Sequence, residues 1–308
     1  MLEAILISIA TASTPLFLAA IGELVAERSG VLNLGVEGMM AMGAVTGFAV
    51  ALATGSPAIG AIAAVIVGAL FSQLFAILTL SLAANQVATG LALTLLGLGV
   101  SGQIGESYVG QPGLRMGPIF LGLDPIFWLS LLLLVGVTWF LFRTKSGLKL
   151  RAVGDSHVSA HALGLRVIAV RYAAVAFGGA CAGLAGAYLS LVYTPQWVEA
   201  MTAGRGWIAL ALVVFASWRP MRVLLGAALF GAITIGQLQV QAMSFSTIAG
   251  FPTPLDAIVG ALKSIPSQFL SSLPYLATVV VLVLISQNRR LALVNTPACL
   301  GQPFVPDR

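Results

Sequence analysis

The sequence predicts an all-α polytopic membrane protein of about nine transmembrane helices, bounded at eight and ten. Three observations carry this. Hydrophobic residues fill 59% of the 308 positions and charged residues only 8%, against about 25% charged in soluble domains. Mean hydropathy is +1.02, and apolar runs long enough to cross a bilayer recur from end to end. The few basic residues gather on one side of the alternating runs.

The runs fall in order between breakers. The first, 4–22, follows Leu2-Glu3 rather than a basic leader, so it reads as a retained span. Ser56-Pro57 separates 36–54 from 58–83, and 86–104 opens after Asn85. Gly110-Gln111-Pro112-Gly113 breaks the chain before 126–143. The run 168–192 stops short of Pro195. Residues 206–218 are few for a crossing and read as either a re-entrant segment or one arm of a bent hairpin at Pro220. Runs at 222–243 and 272–287 complete the set, with 247–268 ambiguous around Pro252 and Pro254. Boundaries carry an error of about 2–4 residues. No stretch reads as a separate soluble domain, so 1–308 is taken as one transmembrane domain. Gly43 with Gly47, and Gly179 with Gly183, have the four-residue spacing that lets helices approach closely in lipid.

With the N-terminus outside, twelve of the fifteen Lys and Arg residues fall on one side, including Arg28, the cluster from Arg143 to Arg171, Arg219, Arg222 and Arg289-Arg290. Only Arg115, Arg205 and Lys263 fall on the other. The positive-inside rule then puts the C-terminus and the 144–167 loop in the cytoplasm. Within that loop Asp155 or Ser156 can cap a short helix running to about 162, and Gly164 suits its termination. Such a capped knob can dock on a soluble partner; a plain basic surface loop is the alternative.

Polar groups inside spans are costly and mark cavities or partners. Glu37 is read as the one carboxylate embedded near an apolar span, one helical turn after Asn33 and flanked by Gly35 and Gly38. A broken helix near a carboxylate is a place where transporters build sites; equally, Glu37 can pair with Arg28 or cap a helix terminus. Asn85 and Thr89 form a second one-turn pair beside Gln86, able to bond a solute or a neighbouring helix. Trp207 can stack on a base or anchor the chain at the bilayer boundary.

Four segments carry a resemblance. Leu150–Leu165 reads LRAVGDSHVSAHALGL, Glu27–Met40 reads ERSGVLNLGVEGMM, Gly204–Leu212 reads GRGWIALAL and Pro297–Phe304 reads PACLGQPF. Together they resemble the permeases of ATP-binding-cassette (ABC) importers for simple sugars, nucleosides and branched-chain amino acids, most of all the nucleoside type paired with basic membrane lipoprotein receptors. The resemblance implies that Arg151, Gly154, Asp155, Ser156, Ala160, Ala162 and Gly164 form the segment that couples to an ATPase. Independently of the resemblance, the polar and aromatic residues noted above, Asn33, Glu37, Asn85, Gln86, Thr89 and Trp207, are the candidates for a substrate pathway. The resemblance further implies a second, related permease subunit, a cytoplasmic ATPase subunit, an extracytoplasmic lipoprotein receptor, and residence as a multi-pass protein in a bacterial inner membrane. His157 and His161 depart from the acidic or aliphatic residues usual in that helix, and read either as solvated side chains or as groups that make docking mildly pH-sensitive.

No phosphate-binding G-x-x-x-x-G-K-[ST] motif occurs, and no Gly-Lys pair at all. Neither Cys181 nor Cys299 belongs to a disulfide or metal pattern. No catalytic residue, cofactor, metal or nucleic-acid partner is therefore expected. Rival readings are the same architecture carrying sugars or branched-chain amino acids, an ion-coupled secondary transporter, and a membrane scaffold.

Overall fold

A computed structural model describes residues 2–242 and 295–305, with isolated positions between 272 and 283. The expected spans at 247–268 and 272–287 therefore lie outside the described residues, those isolated positions apart. Among the described residues the protein is helical, with one isolated bridge between Phe120 and Leu123. Seven helices among the described residues are long and apolar enough to cross a membrane.

Helix α1 (Leu2–Arg28) is longer than the predicted first span. The apolar run was ended at residue 22 because Glu23, Glu27 and Arg28 follow. All three are buried, so the helix continues with its charges inside protein. Its hydroxyls at Thr11, Ser13 and Thr14 donate to the carbonyls four residues earlier, at 2.9, 2.6 and 2.8 Å, a common use of Ser and Thr in apolar surroundings. Helices α2 (Val36–Thr54), α3 (Pro57–Ala76) and α4 (Gln86–Gly105) follow, then α5 (Pro125–Arg143). Two short helices, α6 (Lys145–Asp155) and α7 (His157–Ala162), precede α8 (Val167–Tyr188). Helices α9 (Arg205–Phe215) and α10 (Pro220–Ala242) complete the described bundle. Single π-helical turns extend α3 over Ile77–Ser81 and α8 over Leu189–Tyr193.

Helices α1 and α8 form the centre. Helices α2 and α3 pack on α8, α9 and α10 on α1, and α4 on the outer side of α2. Both predicted glycine pairs make close contacts. A Cβ on Gly43 would stand 2.2 Å from the Gly183 carbonyl oxygen, and one on Gly179 would stand 2.4 Å from that of Gly68. Backbones can approach this closely only where side chains are absent.

Two helices begin inside the bundle. Gly43 lies level with Gly183. At 1.5 Å per residue, Gly183 is about 24 Å from the start of α8 while Gly43 is only about 10 Å from the start of α2. The link 29–35 therefore climbs back into the bundle before α2 starts, and Ser29, Val31 and Asn33 within it are buried. Non-helical backbone at this depth is tolerated only when protein groups satisfy it. Helix α9 is the second case. Its 11 residues span about 16 Å, near half of a roughly 30 Å hydrocarbon layer. The 194–204 stretch before it is non-helical beyond Thr194.

Candidate functional site

The starts of α2 and α9 meet at Glu37. Its Oε1 accepts the Gly204 N–H at 2.8 Å and its Oε2 accepts the Gly206 N–H at 2.6 Å. These are unpaired donors of the first turn of α9, where a negative charge is also favoured by the helix dipole. Gly206 permits the approach, since a Cβ there would sit 2.6 Å from the Glu37 backbone. Glu37 thus caps a helix terminus, one of the alternatives open from sequence, and does not pair with Arg28.

Asn33 does not share a helical face with Glu37, because α2 starts only at Val36. It shapes the link instead: its Oδ1 accepts the Gly35 N–H at 3.0 Å, and its own N–H donates to Glu23 Oε1 at 3.1 Å. Gln86 Oε1 accepts the neighbouring Leu32 N–H at 2.8 Å. Asn85 caps α4, accepting the Ala88 N–H at 3.0 Å, with its side chain exposed. Thr89 is half-buried and Trp207 is exposed. The structure therefore brings Asn33, Glu37 and Gln86 into the buried link and leaves Asn85 and Trp207 on the surface.

Sequence reading missed several buried charges. Glu37 is not the sole embedded carboxylate, because Glu23 and Glu27 are each 1% exposed. Glu27 Oε2 accepts the Trp218 indole N–H at 2.5 Å. Arg28 donates from Nε and Nη2 to the Trp218 carbonyl at 3.2 and 3.0 Å. This grip holds a turn in which Ser217 and Trp218 have φ of 49° and 53°, strained for side-chain-bearing residues. Helix α9 is thus held at both ends by α1–α2 carboxylates, Glu37 at its start and Glu27 just beyond its end. Arg171, counted only as a basic residue, is 1% exposed and donates from Nε to the Ser29 carbonyl at 3.1 Å. The signal was available: an arginine inside a predicted span must find acceptors.

Helices α6 and α7 form a platform at the Arg28 end of the bundle. Helix α6 was read as loop. Thr144 starts it by accepting the Gly147 N–H at 2.9 Å. Ser156 is the cap of α7, accepting the Ser159 N–H at 3.2 Å, and Gly164 ends it with φ of 81°. Of the expected coupling residues, Asp155, Ala162 and Gly164 are exposed, and Arg151 and Ser156 are half-buried. Gly154 and Ala160 face inward, and a Cβ on Gly154 would lie 2.2 Å from the Arg28 carbonyl oxygen. On α7 and at its end Val158 and Leu163 face outward, 66% and 81% exposed, and Leu148 on α6 is exposed too. His161 is exposed, but His157 is not a solvated histidine. It is buried with Nδ1 3.3 Å from Arg171 Nη2. Burial, and then the Arg171 guanidinium, hold its pKa below the ordinary imidazole value.

A family model described as branched-chain amino acid transport system / permease component matches residues 5–285. The chain belongs to that family. Three relatives of this permease agree over most of their length. The putative glucose ABC transporter permease protein TsgC13 of Haloferax volcanii is 41% identical over 95% of this chain and 94% of its own. The nucleoside ABC transporter permease protein NupC of Lactococcus lactis is 32% identical over 88% and 89%. The guanosine ABC transporter permease protein NupQ of Bacillus subtilis is 30% identical over 95% and 93%. The permease is a membrane subunit of an ABC importer, and ATP hydrolysis belongs to a separate subunit.

Proposed function

We propose that this permease imports nucleosides across a bacterial cytoplasmic membrane as half of a two-permease pathway, with 1–308 acting as one transmembrane domain. Its partners are a related permease, a cytoplasmic ATPase and an extracytoplasmic lipoprotein receptor. The basic end, with α6 and α7, faces the cytoplasm. The observation that carries this reading is the capped α6–α7 platform, whose apolar Val158 and Leu163 stand outward from a buried seat. ATP-driven closure of the ATPases moves this platform, and the bundle changes access. The outward residues are the docking groups, with Asp155, Ala162 and Gly164 beside them; Gly154 and Ala160 set the seat from within. Asn33, Glu37 and Gln86 act on the pathway by fixing the broken helices.

Two tests apply. Val158→Glu and Leu163→Glu should retain membrane insertion while a co-expressed ATPase no longer copurifies; undiminished retention would remove α7 from the interface. Uptake of labelled uridine, guanosine, glucose, ribose and leucine in a deletion strain identifies the solute. A second reading, a simple sugar, is favoured by the 41% identity to the glucose relative. Glucose or ribose uptake lost with nucleoside uptake intact would select it.

A further inference from the structure

The stretch from Asn295 to Val305 touches four helices at once, α1, α6, α7 and α8. Arg28 Nη1 donates to the Asn295 carbonyl at 3.1 Å, beyond the end of α1. The Cys299 N–H donates to the Gly154 carbonyl of α6 at 2.9 Å, and the Gly301 N–H donates to the Gly30 carbonyl at 3.1 Å. Arg171 Nη1, from α8, donates to the Gln302 carbonyl at 3.1 Å. The Phe304 ring then lies against both histidines of α7, with centroids 5.1 Å from His157 and 5.4 Å from His161.

Terminal segments without ties fray, yet this one is bonded along its length to buried guanidinium groups and to buried backbone. Helix α7 needs such help. Six residues form too few internal hydrogen bonds to hold a helix, let alone its direction, without packing. Its inward packing is a small separate cluster of Val153, Ala160 and Val167, closed by Leu165, Val170 and Phe304. The same Arg28 guanidinium that holds Asn295 also holds the Trp218 carbonyl behind α9. A continuous set of bonded groups thus joins α7, the tail, the end of α1 and the half-helix that Glu37 caps.

We propose that the 295–305 tail is a positioning element of the energy-coupling machinery: it sets the pose of α7 and links that pose to α9, without touching solute or nucleotide. The coupling half of this statement rests on α7 being the ATPase contact; the positioning half does not. The tail acts through Phe304, which seats the histidine-bearing face of α7, and through the backbone bonds to Gly154 and Gly30, which register it.

The experiment places a reporter under the tail. Ala160→Cys in a Cys299→Ser background puts a thiol in the covered cluster, and its maleimide labelling is timed in the purified protein. Phe304→Ala should raise the labelling rate about tenfold, as expected when a local seat loses about 1.4 kcal/mol, while Phe304→Tyr should leave it near the parent. An unchanged rate in Phe304→Ala overturns the proposal. The same variants, without the reporter, are then assayed for solute uptake and retention of a co-expressed ATPase. Phe304→Ala should lose uptake several-fold with an unchanged melting midpoint, and Phe304→Tyr should restore it. Raised labelling with undiminished uptake overturns the coupling half. A parent protein that retains no ATPase overturns the reading of α7 itself, and the labelling rates still decide the role of the tail. Phe304→Leu, which keeps bulk without the ring, serves if Phe304→Ala fails to accumulate.

Discussion

Glu37 satisfies two backbone donors at the start of another helix, the N–H groups of Gly204 and Gly206. Glu37→Ala leaves the buried Gly206 N–H and the half-buried Gly204 N–H without their acceptor, at a cost of roughly 1–3 kcal/mol. Glu37→Gln keeps one acceptor oxygen but turns an NH2 toward the other donor, so it should fall between the two. Thermal unfolding in detergent checks the order, and a Glu37→Ala midpoint equal to wild type would refute the cap. His157 supplies a pH-dependent contact. Its folded pKa lies below the free value, so the released state takes up a proton first. The seat is at full strength above the free imidazole value of about 6.5 and weakens as pH falls below it. Protease release of the tail should therefore quicken as pH falls below about 6.5. His157→Gln should flatten that dependence; an equal slope in the variant would assign it elsewhere.

At the scale of elements, α9 is defined by its two ends. Trp218→Phe removes the indole donor to Glu27 and leaves that buried carboxylate oxygen without its partner. It should cost roughly 2–3 kcal/mol and slow uptake, whereas Trp207→Phe, on the exposed side, should do neither; equal effects would mean that Trp218 contributes only bulk. The long helices were legible because apolar length and breakers report directly on them. The capped α7 was legible for the same local reason, since Ser156 and Gly164 carry their own signals. What was not legible is what depends on distant partners. Nothing near Ser29 to Gly35 in sequence says that Glu23 and Gln86 will satisfy its backbone, and nothing near Glu27 foretells Trp218, 191 residues away. Helix α6 was hidden by its charged residues, which lie along the platform rather than in a loop. Of the expected pathway residues, Glu37 was open from sequence to a helix-capping role, but which helix it would cap, 167 residues away, was not legible.

For the whole molecule, orientation is the decisive quantity. Val158→Cys in the Cys299→Ser background should react with an impermeant maleimide only after the membrane is opened from the cytoplasmic side. Labelling in intact cells would invert the topology and remove the basis for ATPase docking. The family match and the helical bundle agree with a membrane permease at every level from composition to packing. The solute identity is the property least written into the chain, because Asn33, Glu37 and Gln86, the buried groups that the sequence singles out, accept from backbone groups of the chain itself.

The glycine contacts among α2, α3 and α8 bear on how such a machine moves. Where one backbone rests on another, as Gly43 does on Gly183 and Gly179 on Gly68, a slide of one helical turn would drive a neighbouring Cβ into a carbonyl oxygen. These three helices therefore resist sliding past one another and hold together as a single keel, to which the half-length α9 is tied at its start by the Glu37 carboxylate.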